Sequence, residues 1–285
     1  MSSTDIEYAG MISDIQTHGD VINSRIGQTR SLCDLRDVIF CSTPLVTART
    51  VAWKKALLEM EWILSGNKKC PPILAETWWK DQLHESGFYV AGYGDQLRSY
   101  SGHFDQIDFL IDGIRNHGTS RRLVITTWNP CEMHEITSIN GNPRTPTTCH
   151  GTAIQLFVRR DKLSMTMYQR SADMLLGVPH NWIQYWALLL WLASRSGLKP
   201  GSFRWIAGDA HIYQHESHVQ AVNDIVFGVI GNLCNYNKYS NYEDSPQLKY
   251  IGCADKPFIA EDFIMTGTVI GPVTKAQPKL MVEPA

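Results

Sequence analysis

The run from Trp182 to Ser196, WIQYWALLLWLASRS, is apolar on nearly every face once wound into a helix. A surface helix carries a single apolar stripe, so a segment of this kind has to be enclosed by other elements. Its wholly apolar part, Tyr185 to Ala193, falls far short of the roughly 20 residues that cross a bilayer. It is therefore expected to be a central buried helix with a sheet packed on it, and Asn181 stands at its start.

Ala153 to Arg159 and Lys162 to Tyr168 have the β-branched, aromatic and alternating character of strands, joined by a tight turn at Arg160-Asp161, and Leu123 to Trp128 reads the same way. Residues 51–65 read as a helix with Ala52, Ala56, Glu59 and Ile63 on one face. That spacing sets Glu59 among apolar neighbours and leaves Glu61 to solvent. Phe104 to Asn116 is a second amphipathic helix, stopped at His117-Gly118. No repeat or linker divides the 285 residues, and 44% hydrophobic content is enough for one sizeable core. The expected class is α/β (α+β), a large mixed sheet on the buried helix, in one domain spanning 1–285. From Gly271 the chain carries Pro272, Pro278 and Pro284 and no periodicity, which reads as a tail.

A formal charge of −2, with the signs interspersed, provides no basic stripe. That argues against polymeric nucleic acid as the main ligand and leaves room for a mononucleotide, which needs only a few placed cations. The seven cysteines (33, 41, 70, 131, 149, 234, 253) form no C-x-x-C pair. With no signal sequence, they read as reduced thiols in a cytoplasmic protein, without a disulfide framework or a metal site.

Chemistry concentrates in two segments. Cys149, in Thr147-Thr148-Cys149-His150, stands just before one strand of the hairpin, and the run Tyr168-Gln169-Arg170-Ser171-Ala172-Asp173-Met174-Leu175-Leu176-Gly177-Val178-Pro179-His180-Asn181 starts at the end of the other. A free Cys is most often an inert buried thiol; a neighbouring guanidinium such as Arg170 would favour its thiolate. Planar arginine donors suit a phosphate monoester. A primary amide such as Asn181 can donate to O4 and accept from N3–H of uracil, whereas cytosine would favour a carboxyl; an asparagine before Trp182 equally suits a helix N-cap. Glu59 on an apolar helix face is costly unless it is paired or does chemistry.

The YQRSxDxxLGxPxN run resembles the thymidylate synthase family. Ser120-Arg121-Arg122 ahead of Trp128-Asn129, Gly208-Asp209-Ala210-His211-Ile212-Tyr213, and Glu59-Met60-Glu61-Trp62 extend the resemblance over most of the chain. It implies a thymidylate synthase-like fold, a sheet-to-sheet homodimer with shared sites, and one-carbon transfer from 5,10-methylenetetrahydrofolate, as co-substrate, to C5 of dUMP. By the same resemblance Cys149 attacks ring carbon C6, and Gln169, Arg170 and Ser171 bind the nucleotide within the subunit. Arg121 and Arg122 reach over from the partner, although alone they would read as a solvated pair, and Arg25 is a weaker match for a further phosphate ligand. His211 and Tyr213, expected in a loop, bind the sugar hydroxyl. Glu59, Tyr93, His150 and Asp173 organise proton transfers, and Trp79, Asp173, Leu176, Gly177 and His180 contact the folate. The tail resembles the family's mobile closing segment.

The departures fall on the folate side. His180 stands where the family usually has Phe, Gln82 replaces a second Trp, and Thr147-Thr148 replaces an apolar residue and Pro. One extra residue between Cys149 and Gln155 implies a bulge; the loop Pro130 to Pro146 is long, and the tail runs past the usual ending. A polar His180 and a looser folate wall favour trapping of the methylene intermediate by water. The expected product is 5-hydroxymethyl-dUMP, as in viral members of the family that make modified pyrimidines for DNA, with dTMP from hydride transfer as the alternative. A non-catalytic nucleotide sensor is a further possibility, but sensing would need neither Cys149 nor Glu59.

Overall fold

In chain order the elements are α1 (Ser3–His18), β1 (Asp20–Asn23), β2 (Gln28–Leu32), β3 (Val38–Phe40), α2 (Trp53–Ser65), α3 (Pro72–Ala75), α4 (Tyr93–Arg98) and α5 (Gln106–His117). They continue with β4 (Val124–Ile125), β5 (Ala153–Arg159), β6 (Lys162–Asp173), α6 (Gly177–Arg195), β7 (Lys199–Tyr213), α7 (Glu216–Ile230), β8 (Gln247–Tyr250) and β9 (Phe263–Thr266). The computed structural model describes residues 2–24, 26–80, 83, 92–131, 148–231, 245–267, 272–274, 276 and 278. The expected loop at 130–146 lies almost entirely outside these residues, as do Arg25, Gln82, Thr147 and most of the tail.

One mixed sheet organises the chain in the order β1-β2-β7-β6-β5-β4, with β3 also paired to β7. β6 and β7 run parallel and the other pairs antiparallel. A parallel pair needs a crossover, and α6 supplies it, lying on the sheet as the enclosed helix that its sequence demands. Thirteen of its residues from Val178 to Leu192 and also Ala193 are buried. Trp182 meets Tyr8 of α1 at 6.0 Å between ring centroids, Phe40 of β3 at 4.8 Å and Trp205 of β7 at 5.4 Å, tying four elements into one aromatic core. Among the described residues no helix is long and apolar enough to cross a membrane.

Several local expectations shift, each for a visible reason. The strand expected to end at Tyr168 runs on to Asp173. Its antiparallel pairing with β5 does stop at Ala153↔Tyr168, but its parallel pairing with β7 continues to Asp173↔His211. Arg170 and Ser171 are therefore strand residues. His211 and Tyr213 are also in a strand and not in a loop, held by β2 on one side through Thr29↔Tyr213 and Ser31↔His211. The strand expected from Leu123 to Trp128 is only Val124–Ile125, because beyond it the backbone turns to side chains: Thr126 N–H donates to Gln106 Oε1 at 2.9 Å and Trp128 N–H to Thr126 Oγ1 at 3.0 Å.

Helix α6 begins at Gly177, so Asn181 lies in its second turn and is not an N-cap. The preceding turn is held instead by Asp173 Oδ1, which accepts from the N–H groups of Leu175 (2.9 Å) and Leu176 (3.1 Å). Glu61, expected in solvent, accepts the Ala260 N–H at 2.7 Å. The irregularity expected between Cys149 and Gln155 is not a bulge in the β5–β6 ladder, whose register is regular from Ala153. The chain turns before the strand at Gly151, φ 64°, and the sheet's register shift lies between Leu163 and Met165 against β7. The tail is tied where it is described: Val273 N–H donates to Ala48 O at 2.9 Å and Thr274 Oγ1 to Asp224 Oδ2 at 2.7 Å.

Candidate active site

Cys149 is half-buried at the turn leading into β5, and the end of β6 brings Arg170 to it: Nη2 lies 3.8 Å from Sγ and 3.3 Å from Thr148 O. The guanidinium also lies over the Trp128 ring, 5.0 Å from its centroid, an arrangement that holds a planar cation by its face. Among the described residues its Nε is buried without a partner. The backbone around the sulfur is fixed as well. Cys149 N–H donates to the Tyr93 hydroxyl at 2.8 Å, Ser171 N–H to Cys149 O at 3.4 Å, and Thr148 Oγ1 to Thr127 O at 2.8 Å.

Beside the sulfur, His150 stacks on Tyr93 (4.2 Å, 13° between planes), and its Nδ1 is 2.9 Å from the Tyr185 hydroxyl. Burial pushes its pKa down to about 3, so it is neutral near pH 7 and acts as a hydrogen-bonding group, not a cation.

From Arg170's neighbour a buried chain of amides runs through the core. Trp205 Nε1 donates to Gln169 Oε1 (2.9 Å), Gln169 Nε2 to Asn181 Oδ1 (3.0 Å), Asn181 Nδ2 to Gln184 Oε1 (3.0 Å), and Gln184 Nε2 to Glu59 Oε2 (2.7 Å) and Ala56 O (3.0 Å). Trp79 Nε1 donates to the other Glu59 oxygen. Glu59 thus faces two donors, yet burial outweighs them and pushes its pKa up to about 6, near the range where a carboxylate exchanges protons at neutral pH. Gln184, Thr127, Trp128 and Tyr185 were assigned no role in the site by the sequence alone. Gln184 could have been found there: it is an amide in an otherwise apolar run, three residues from Asn181 on the same helix face.

At the start of α6, beside Leu176 and Gly177, Trp78 and His180 meet edge to face at 4.8 Å, both half-buried. His180 Nδ1 contacts Leu176 O at 2.6 Å and Nε2 accepts from Ala52 N–H at 3.2 Å, which fixes the Nδ1–H tautomer. Burial lowers its pKa to about 4. His211 and Tyr213 end β7, both buried, with rings 5.3 Å apart. Burial works against the His211 cation, but the Asp209 carboxylate 3.5 Å from Nδ1 raises its pKa overall, and Ser31 Oγ donates to the same Asp209 oxygen at 2.6 Å.

The fold thus gathers Cys149, Arg170, Ser171, Tyr93, His150, Gln169, Asn181 and Glu59, with Trp79 against Glu59. It does not bring Arg121 and Arg122 to this group. Both are exposed just before β4, and their guanidinium groups make no hydrogen bond or ion pair among the described residues. Among those residues no three of His, Cys, Asp and Glu converge as metal ligands.

A family model described as thymidylate synthase matches residues 6–227. The chain is 31% identical over 305 aligned positions to bifunctional dihydrofolate reductase-thymidylate synthase 1 of Arabidopsis thaliana, an alignment that covers 96% of this chain and 54% of that protein. The chain therefore spans about half the length of this curated relative.

Proposed function

We propose that this chain, which belongs to the thymidylate synthase family, transfers a one-carbon unit from 5,10-methylenetetrahydrofolate to C5 of dUMP through a covalent adduct of Cys149 with ring carbon C6. The observation that carries the reading is the Cys149 sulfur 3.8 Å from the Arg170 guanidinium, beside a buried relay joining Asn181 to Glu59. In this reading Cys149 adds as thiolate to C6 and the electron pair moves through C5 and C4 onto O4, where Asn181 donates. C5 then bonds to the one-carbon unit and loses its proton, with Glu59 organising the proton traffic. The carrier departs, leaving an exocyclic methylene; a nucleophile, water or hydride from the folate, then adds to that methylene, and the enolate so formed expels the Cys149 sulfur from C6 and completes turnover. Arg170 and Ser171 hold the phosphate, His211 and Tyr213 the sugar, and Trp79, Leu176, Gly177, Asp173 and His180 the folate.

The finer proposal is that water adds to the exocyclic methylene and the product is 5-hydroxymethyl-dUMP. Its support is narrower than polarity alone would give. Because both His180 nitrogens are engaged with Leu176 and Ala52, the imidazole has no ring nitrogen left to hold the water. Its contribution is a smaller ring where the family has a phenyl face, which loosens the exclusion of water that hydride transfer needs. A second reading, dTMP with dihydrofolate, is favoured by Trp79, whose indole stays buried against Glu59. Mass of the nucleotide product and folate absorbance, read from one reaction with dUMP and methylenetetrahydrofolate, decide between them. Dihydrofolate appearing in step with dTMP overturns the hydroxymethyl reading, and no covalent Cys149 adduct with 5-fluoro-dUMP and methylenetetrahydrofolate overturns the enzyme reading altogether.

The homodimer belongs to the same proposal. The sheet face away from α6 exposes Ile39 (58%), Val124 (43%) and Tyr168 (38%) on β3, β4 and β6, with Arg204, Thr166 and Gln155 between them on the same face, a mixed surface available to a second copy. Arg121 and Arg122 lie at the β4 edge of this sheet, available to a partner's phosphate site and not to their own.

A further inference from the structure

We infer that Gln184 locks the Asn181 amide in the orientation that selects uracil over cytosine, which makes it a specificity-positioning residue. The inference rests on dUMP being the substrate. Asparagine by itself does not choose between the bases. Rotated by 180°, its amide would offer an acceptor to the cytosine N4 amino group and a donor to N3, matching the cytosine edge as well as the other rotamer matches uracil.

The buried relay removes that freedom from both ends. The Trp205 indole N–H can only donate, so Gln169 turns Oε1 to it and Nε2 to Asn181 Oδ1. At the other end the Glu59 carboxylate and Ala56 O can only accept, so Gln184 turns Nε2 to them and Oε1 to Asn181 Nδ2. The two constraints agree. One hydrogen on Nδ2 and one lone pair on Oδ1 remain, a donor for O4 and an acceptor for N3–H. Flipping Asn181 would set donor against donor at Gln169 and acceptor against acceptor at Gln184. Gln184 is wholly buried and Gln169 and Asn181 nearly so, and buried groups in such conflict cannot turn to water for relief. Gln184 also links this choice to Glu59, since one amide serves both side chains.

The test is the ratio of dCMP to dUMP dissociation constants, measured by calorimetry without folate, for the wild type and Gln184→Met, which keeps the length and removes the hydrogen bonds. The ratio is expected to fall about tenfold or more, and the acidic limb of turnover to move to higher pH because a donor to Glu59 is lost. In an Asn181→Ala background the same substitution should leave the ratio unchanged. A wild-type ratio in a folded Gln184→Met protein, or an equal change in both backgrounds, overturns the inference. If Gln184→Met does not fold, Trp205→Phe, which cuts the relay at its far end, decides by the same ratio: a fall supports the lock and a wild-type value refutes it. A wild-type chain that binds no dUMP overturns the substrate reading itself, a result distinct from either.

Discussion

Glu59 shows how one residue is set between opposing demands. Two donors, Trp79 Nε1 and Gln184 Nε2, call for a carboxylate, while burial resists the charge and leaves the pKa at about 6. Glutamine fills the same space but carries only one acceptor oxygen, so its NH2 must face one of the donors. Glu59→Gln is therefore expected to lower kcat by about 100-fold or more, the scale of a lost acid–base group, while dUMP binding stays within about tenfold. An unchanged kcat in steady-state assays would remove Glu59 from the chemistry. At Cys149 the replacement is cleaner. Cys149→Ser keeps the hydrogen bonds of its backbone to Tyr93 and Ser171 but lacks a nucleophile that ionises readily, so turnover should vanish with dUMP affinity within about tenfold of wild type. Residual turnover in pure Cys149→Ser protein above a few per cent would place the nucleophile elsewhere.

At the scale of elements, the enclosed helix, the β5–β6 hairpin and the turn at Arg160-Asp161 were legible because each has a local signal: apolar residues on all faces, alternation, or a polar pair between two alternating runs, where the structure sets Arg160 at φ 56°. What escaped the sequence was set by pairing over long distances. The last third of β6 is a strand only because β7 lies parallel beside it, and the same contact puts His211 and Tyr213 in a strand instead of a loop. Cys149, Arg170 and Asn181 were recognised through a motif, whereas Gln184 acts through Glu59, far away in sequence and carrying no local pattern that links the two. The turn before β5 gives this scale its own prediction. Gly151 sits at φ 64°, and a Cβ there would run into the Tyr185 hydroxyl that bonds His150. Gly151→Ala is expected to destabilise the fold by roughly 2–4 kcal/mol, backbone strain plus overpacking, and to slow turnover by displacing His150 and Cys149 together. A loss below about 0.5 kcal/mol in urea unfolding would show that the turn relaxes freely.

For the whole molecule, the proposed dimer makes the site a shared property. Co-expressed Arg121→Glu and Cys149→Ser chains, each inactive alone, should recover about a quarter of wild-type activity if the arginines serve the partner's site, since half the dimers would then hold one intact site; no recovery after proven exchange argues against sharing. Acid stability is likewise set by groups in different elements. His150 and His180 stay neutral in the fold down to about 3 and about 4 because burial resists their cations, while in the unfolded chain they take up protons below roughly 6.5. The unfolded chain then binds more protons across that window, and stability falls as the pH drops. Glu59, which protonates at about 6 in the fold, works the other way between that pH and its unfolded value, as does His211, whose pKa is raised. The two histidines are together displaced several times further than the one carboxyl, so they win. Unfolding free energy should drop by roughly 2–3 kcal/mol between pH 7 and pH 5, measured in urea at fixed protomer concentration. His180→Phe removes one of the two histidines and should cut that drop by more than half; a wild-type slope in this variant, or a wild-type protein as stable at pH 5 as at pH 7, would show that buried histidines do not set the acid limit of this fold.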